Sequence, residues 1–106
     1  MSNIHLHPRV VFYLDGANWI AHCLEFDLAG EGASREEAFE DLKKAIQIQV
    51  EADSLRSSPM DLFKPADSEY FAMYEAGYDV AVEGLHLASH RLIIDDTHAR
   101  EYRLSM

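Results

Sequence analysis

Cysteine is nearly absent from this chain: Cys23 is the only one in 106 residues. An internal disulfide is thereby excluded, and so is any cysteine-rich metal site. Its apolar neighbours predict a thiol packed as a small hydrophobe, away from any base that could make it a nucleophile. Basic residues are scarce as well. Nine Lys and Arg stand against nineteen Asp and Glu, a formal charge of −10. The acids outnumber the bases by ten to five over residues 1–56 and by nine to four over residues 57–106. A field of that sign repels phosphate backbones, so this chain alone is not expected to bind DNA, and it favours a basic partner. The same excess also suits an ordinary soluble surface. No apolar run approaches the ~20 residues of a membrane span. The N-terminal MSNIHLHPR lacks a basic region followed by an apolar core, so no signal peptide is read and the expected compartment is cytoplasmic.

What is present suits one globular domain. Apolar residues make up 48% of the chain and charged residues 26%, which is globular rather than disordered usage. We read a single domain over residues 1–106, with a core at 4–53 and a C-terminal extension at 66–104. No internal repeat or low-complexity segment interrupts it.

The central stretch is WIAHCLEFDLAGEGASREEAFEDLKKAIQIQV, residues 19–50. Before it, Val10-Val11-Phe12-Tyr13-Leu14 predicts a strand running into a turn at Asp15-Gly16-Ala17-Asn18. Residues 19–26 are its expected hairpin partner. Alternation puts Trp19, Ala21 and Cys23 on one face and Ile20, His22, Leu24 and Phe26 on the other. Both faces are largely apolar, so one is assigned to the following helix and the other to a C-terminal segment or a second subunit. Gly30 and Gly32 predict a short third strand with a bulge or a close backbone approach. Gly30-Glu31-Gly32 lacks the spacing of a phosphate loop and carries an acid at its centre.

Ser34-Arg35-Glu36-Glu37 reads as a capping box, in which the Ser34 hydroxyl and the Glu37 carboxylate satisfy each other's backbone amides. A helix is predicted over residues 35–52, with Phe39, Leu42, Ile46 and Val50 as its buried stripe and Glu40–Lys44 as an outer pair. Ile48 lies off that stripe and is a candidate subunit contact. Residues 54–65 break the pattern, with an apolar clip at Met60-Asp61-Leu62-Phe63. A second helix is expected from Asp67 or Ser68 to Gly77. Its Tyr70, Phe71, Met73 and Tyr74 lack the interleaved bases of a nucleic-acid platform and are assigned to the core. Residues 78–87 and 91–95 read as strands, and 99–104 as a further strand or a frayed end.

Chemistry is weighed in three places. His5 and His7 share a strand face, and His86 and His90 are four apart, yet no HExxH or companion ligand accompanies either pair. Asp15, Glu25, Asp27 and the Asp95-Asp96 pair sit at strand ends, where acids form turns more often than they hold Mg²⁺ or move protons. Ser34 is committed to a cap. No catalytic, cofactor or metal set is therefore assigned. The rival reading keeps the Glu25/Asp27 edge, with a histidine, as a holder of a metal or small ligand, or as a remnant of a hydrolase.

The run from Trp19 to Leu28, then Gly30-Glu-Gly32-Ala-Ser34, Glu37-Ala38, Leu42 and Ala45-Ile46, resembles the N-terminal domain of HicB-type antitoxins. The likeness spans roughly residues 10–52. It implies a β-β-β-α core on a partial ribonuclease H-like fold without catalytic acids. It also implies a dimer or tetramer and a small basic toxin, acting on RNA, as partner. Family members often carry a C-terminal DNA-binding helix pair, and residues beyond 55 do not supply one here. The expectation is thus an α+β protein with a small antiparallel sheet and one long helix. It is read as a non-catalytic binding module, with Ile20, His22, Leu24, Phe26 and Ile48 as its partner or subunit interface.

Overall fold

The computed structural model describes residues 4–54, 64–82, 86–89 and 92–103. The elements in chain order are β1 (Ile4–Leu6), β2 (Arg9–Asp15), β3 (Asn18–Cys23), β4 (Leu28–Gly32), α1 (Arg35–Ser54), α2 (Ser68–Ala76), β5 (Tyr78–Val80), β6 (Leu87–Ser89), β7 (Leu92–Ile94) and β8 (His98–Glu101). Met60-Asp61-Leu62-Phe63 and His90 lie outside the described residues.

The fold is α+β, and its main sheet runs β4-β3-β2-β8-β5. The sheet is mixed rather than antiparallel. β2, β3 and β4 form the expected antiparallel meander, but β8 slots in parallel to β2, with Arg9 opposite His98 and Phe12 opposite Glu101. A parallel neighbour needs a long crossover, and α1, α2 and the intervening strands supply it. A smaller sheet, β1-β7-β6, again pairs the N-terminus with the tail in parallel. Buried Pro8, which has no amide hydrogen to give a ladder, separates β1 from β2.

Alternation along the meander divides the core in two. Val10, Phe12, Ala21 and Cys23 pack against Ala38, Phe39, Leu42, Ile46 and Val50 of α1. Val11 and Leu24 pack on the opposite side with Ala66 and Tyr74, joined by Tyr13, Tyr70, Phe71 and Met73. The second apolar face is therefore covered by α2 of the same chain, with Tyr74 buried in the core and Tyr70 and Phe71 half-buried against it. Gly16 occupies the first of two loop positions between β2 and β3 with φ +64°, the place where a type II′ turn requires glycine.

β3 stops at Cys23, short of the expected Phe26. The backbone of Leu24 leaves the ladder, donating to the Arg9 carbonyl at 2.9 Å and accepting from Ala66 at 2.8 Å. Glu25 accepts from Lys64 at 3.0 Å, and Asp27 turns with φ +51°. Alternation is lost there, so Phe26 swings to the α1 side of the core while Leu24 stays on the α2 side. The tail strands are shorter than the predicted runs because β5 ends at Val80 and β7 at Ile94.

At the start of α1, Glu37 donates its amide to Ser34 Oγ at 3.1 Å. The Glu37 carboxylate reaches one residue beyond the expected partner and accepts from the Ala33 amide at 2.8 Å. Further along, Glu40 pairs with Lys43 at 2.6 Å rather than with Lys44. The glycines of β4 mark a close approach: a Cβ on Gly30 would lie 2.2 Å from the Leu42 amide nitrogen and 2.5 Å from the Ala38 carbonyl oxygen. Gly77, after α2, has φ −82° and is not a left-handed cap; a Cβ there would crowd the Glu101 carbonyl at 2.8 Å.

Two stability outcomes follow from this packing. Gly30→Ala forces α1 off the sheet, because the obstacle is helix backbone, and is expected to cost about 1–3 kcal/mol or more. Ser34→Ala removes one of the two cap bonds and is expected to cost about 0.5–2 kcal/mol. Urea melts of both variants against the parent chain measure each loss. An unchanged midpoint for Gly30→Ala contradicts the close approach.

Candidate functional site

A groove of about 600 Å³ lies between the N-terminal half of α1 and the segment leaving β5. Phe12 and Phe39 meet in it with ring centroids 6.1 Å apart, and Val80 and Val82 complete the apolar lining. Glu36, Glu40 and Arg35 line it as well. A second, shallower hollow on α1 is lined by Glu31, Glu36, Glu37, Glu40, Asp41 and Lys44. The helix start puts this acid where the macrodipole favours it.

Beneath the groove lies a buried charge. Glu101 on β8 is 1% exposed, and it faces the α1 side along with Ala99. Arg35 reaches its Oε1 at 2.9 Å, while Tyr78 donates to Oε2 at 2.8 Å and Arg103 donates to the same oxygen. Burial pushes the carboxyl upward, but the bonds from Arg103 and Tyr78 and the charges of Arg103 and Arg35 outweigh it. The net result lies below the ordinary 4.5. Arg35 also stacks 5.9 Å from the Trp19 ring, so its guanidinium is held from inside the molecule.

Most of the described cations are likewise ion-paired within the chain. Seven of the nine Lys and Arg are described, Arg56 and Arg91 being the other two. Five of those seven are in ion pairs: Arg9 with Glu25, Arg35 and Arg103 with Glu101, Lys43 with Glu40, and Arg100 with Asp79. Glu36 makes no ion pair among the described residues.

On the α2 side a different cluster forms. His22 is 6% exposed, with Nε2 at 2.8 Å from Asp27 Oδ1 and its ring centroid 4.1 Å from that of Tyr70. Its Nδ1 has no hydrogen-bond partner among the described residues. Tyr70 stacks on Tyr13, whose hydroxyl is raised to about 12 by burial and by Tyr70. Glu25 is turned away from this cluster. It takes the Arg9 amide on Oε1 and the Arg9 Nε on Oε2, each at 2.7 Å, and the guanidinium lies over Phe71 and Tyr74. The Glu25/Asp27 edge thus acquires a histidine at Asp27 only.

Among the described residues one group of His, Cys, Asp and Glu gathers three donor atoms within 4.8 Å of one another: His7, Asp95 and Asp96. His7 and Asp96 are exposed, and His7 already sits 3.3 Å from Asp95 Oδ1. His5 and His86 are exposed and outside that group. Asp15 closes the β2–β3 hairpin opposite Asn18. Burial, followed by the Glu25 charge, raises the Cys23 thiol to about 12, which makes it inert as a nucleophile.

The residues assigned to an interface do not form one surface. His22, Leu24 and Phe26 are buried within the chain, and Ile20 is half-buried on the α2 face of β3. Ile48 is 68% exposed on α1, which covers the opposite face of the sheet. The groove residues and Glu101 were not singled out from the sequence. Only the return of β8 and β5 to the sheet brings Val80, Val82 and Glu101 to α1, and no local pattern announces that return.

Glu101 carries a pH signature. A carboxyl held below its unfolded value stabilises the fold above that value, near 4.5, and the contribution disappears as pH falls through the lower folded value. Glu101→Gln is expected to be less stable at neutral pH and to lose less on acidification than the parent. Urea midpoints taken from pH 7 down to acid conditions measure this, and parallel pH curves for the two chains contradict it.

No protein-family model matches this chain, and no curated protein or solved structure matches it either.

Proposed function

We propose that this chain is a non-catalytic, HicB-like protein-binding module whose partner is a small basic protein, an RNA-targeting toxin in the reading that the resemblance suggests. The observation that carries it is the internal use of the cations. Five of the seven described basic residues are in ion pairs, and in the hollow on α1 the carboxylates of Glu31, Glu36, Glu37, Glu40 and Asp41 outnumber Lys44, so that face is net negative. Fields of this kind steer a cationic protein toward the surface and hold phosphate backbones off. The β2-β3-β4-α1 order supports the resemblance at the level of element sequence.

The metal-binding or hydrolase alternative rests on His7, Asp95 and Asp96, or on His22 with Asp27. The first set is open to water, and the second is a buried pair under Tyr70. Neither accompanies the concave groove, which is where substrate chemistry is ordinarily housed.

Co-expression with the product of a neighbouring small basic open reading frame tests the reading. A stable complex and relief of that protein's effect on growth are expected. The purified chain is expected to leave RNA and DNA intact with Mg²⁺ or Mn²⁺. Metal-dependent cleavage abolished by Asp27→Asn overturns the non-catalytic assignment.

A further inference from the structure

Taking the basic-partner reading as its ground, we propose that the groove between α1 and β5 is the docking site for a basic segment. In this arrangement an apolar side chain of the partner seats against Val80 and Val82, above the buried Phe12 and Phe39, and a flanking Arg or Lys pairs with Glu36.

The lining supplies the two halves of this recognition. Its floor reaches down to the α1-side core, where Phe12 and Phe39 are buried, and its accessible apolar wall is half-buried Val80 and Val82 with exposed Ala81. Its lip is charged, and those charges differ in availability. Arg35 is drawn inward by Glu101 and Trp19, and Glu40 is paired with Lys43. Glu36 remains, exposed and without an ion pair among the described residues. An incoming cation therefore finds a carboxylate that it need not take from another partner, with Glu31, Glu37 and Asp41 adding to the local field.

Charge decides the class of occupant. A second copy of this chain brings another −10 against the same acidic lip, and like charges brought together at an interface cost affinity. A basic segment meets the opposite sign. Backbone geometry favours an extended one: β5 is the last strand of the main sheet, and edge strands offer unpaired backbone groups to an added chain. An apolar anchor in a pocket, ringed by charge pairs at the rim, is the usual division between affinity and steering.

A fluorescent peptide alternating arginine with leucine serves as the probe, read by anisotropy at low salt against the full chain. Glu36→Lys and Val82→Asp are each expected to weaken it by about five- to tenfold, the order of effect of a lost charge pair or anchor. Glu75→Lys on α2 changes net charge by the same amount at a distant exposed site and is expected to leave the affinity near that of the parent. A second peptide with serine in place of leucine is expected to bind more weakly than the first. Circular dichroism confirms that each variant is folded before titration. Equal losses for Glu36→Lys and Glu75→Lys, or equal affinity for the two peptides, overturn the groove assignment and leave the basic-partner reading standing. Failure of both peptides to bind the parent chain overturns both.

Discussion

A buried carboxylate with three donors ties together parts of this chain that are far apart in sequence. Glu101 lies in β8, receives Arg35 from the first turn of α1, Tyr78 from β5, and Arg103 from the chain just beyond β8. A charge taken out of water is costly unless its oxygens are bonded, and bonding both oxygens requires all three elements to be in place. Main-chain contacts add to the requirement, since Tyr102 donates to Phe12 at 2.8 Å and His98 to Pro8 at 3.0 Å. The position of β8 between β2 and β5 is thereby set by polar satisfaction as much as by burial of Ala99. The groove inherits its geometry from the same constraint. Arg35 lines the groove but is paired with Glu101, and the acids beside it on the lip are Glu36 and Glu40.

The two faces of the sheet solve different problems. On the α1 side, Gly30 and Gly32 let β4 approach the helix backbone, and the cluster packed there is aliphatic and aromatic, with Glu101 and its donors at its edge. On the α2 side the packing is aromatic and polar at once. Arg9 is clamped by Glu25 and lies against Phe71 and Tyr74, while Arg100 bonds the Tyr74 carbonyl at 3.1 Å and stacks 4.6 Å from its ring. Cations over aromatic faces lose little hydration and gain the ring quadrupole. A helix as short as α2 is marginal by itself, so these contacts with the sheet are what hold it there.

The legible part of the fold is the part where local chemistry and tertiary structure agree. The glycine hairpin after β2, the two glycines of β4, the Ser34 cap and the Phe39-Leu42-Ile46-Val50 stripe all state a local need that the structure meets. Helix α2 was legible for the same reason, and its aromatics without bases read correctly as core. The tail was not. β5, β6 and β7 are three residues each, too short for a periodic signal to develop, and β8 joins the sheet in parallel through a partner 89 residues earlier. His22, Leu24 and Phe26 looked available for a second subunit because alternation cannot say which segment covers a face. It also fails once the chain leaves the ladder at Leu24, which is why Phe26 and Leu24 part company.

Charge and fold are linked more closely than net composition suggests. Arg9, Arg100, Arg35 and Arg103 each close a contact between elements or fix the buried carboxylate, while keeping part of their side chains in solvent. With nineteen acids to nine bases, the acids left over outnumber the bases. On α1 the first-turn carboxylates are doubly favoured, by the helix dipole and by the Ala33 amide that Glu37 caps, so they add to helix stability while they charge the groove. Replacing them to reduce the field would therefore weaken the helix start as well. The acidity of this face is as much a condition of the fold as a means of choosing a partner.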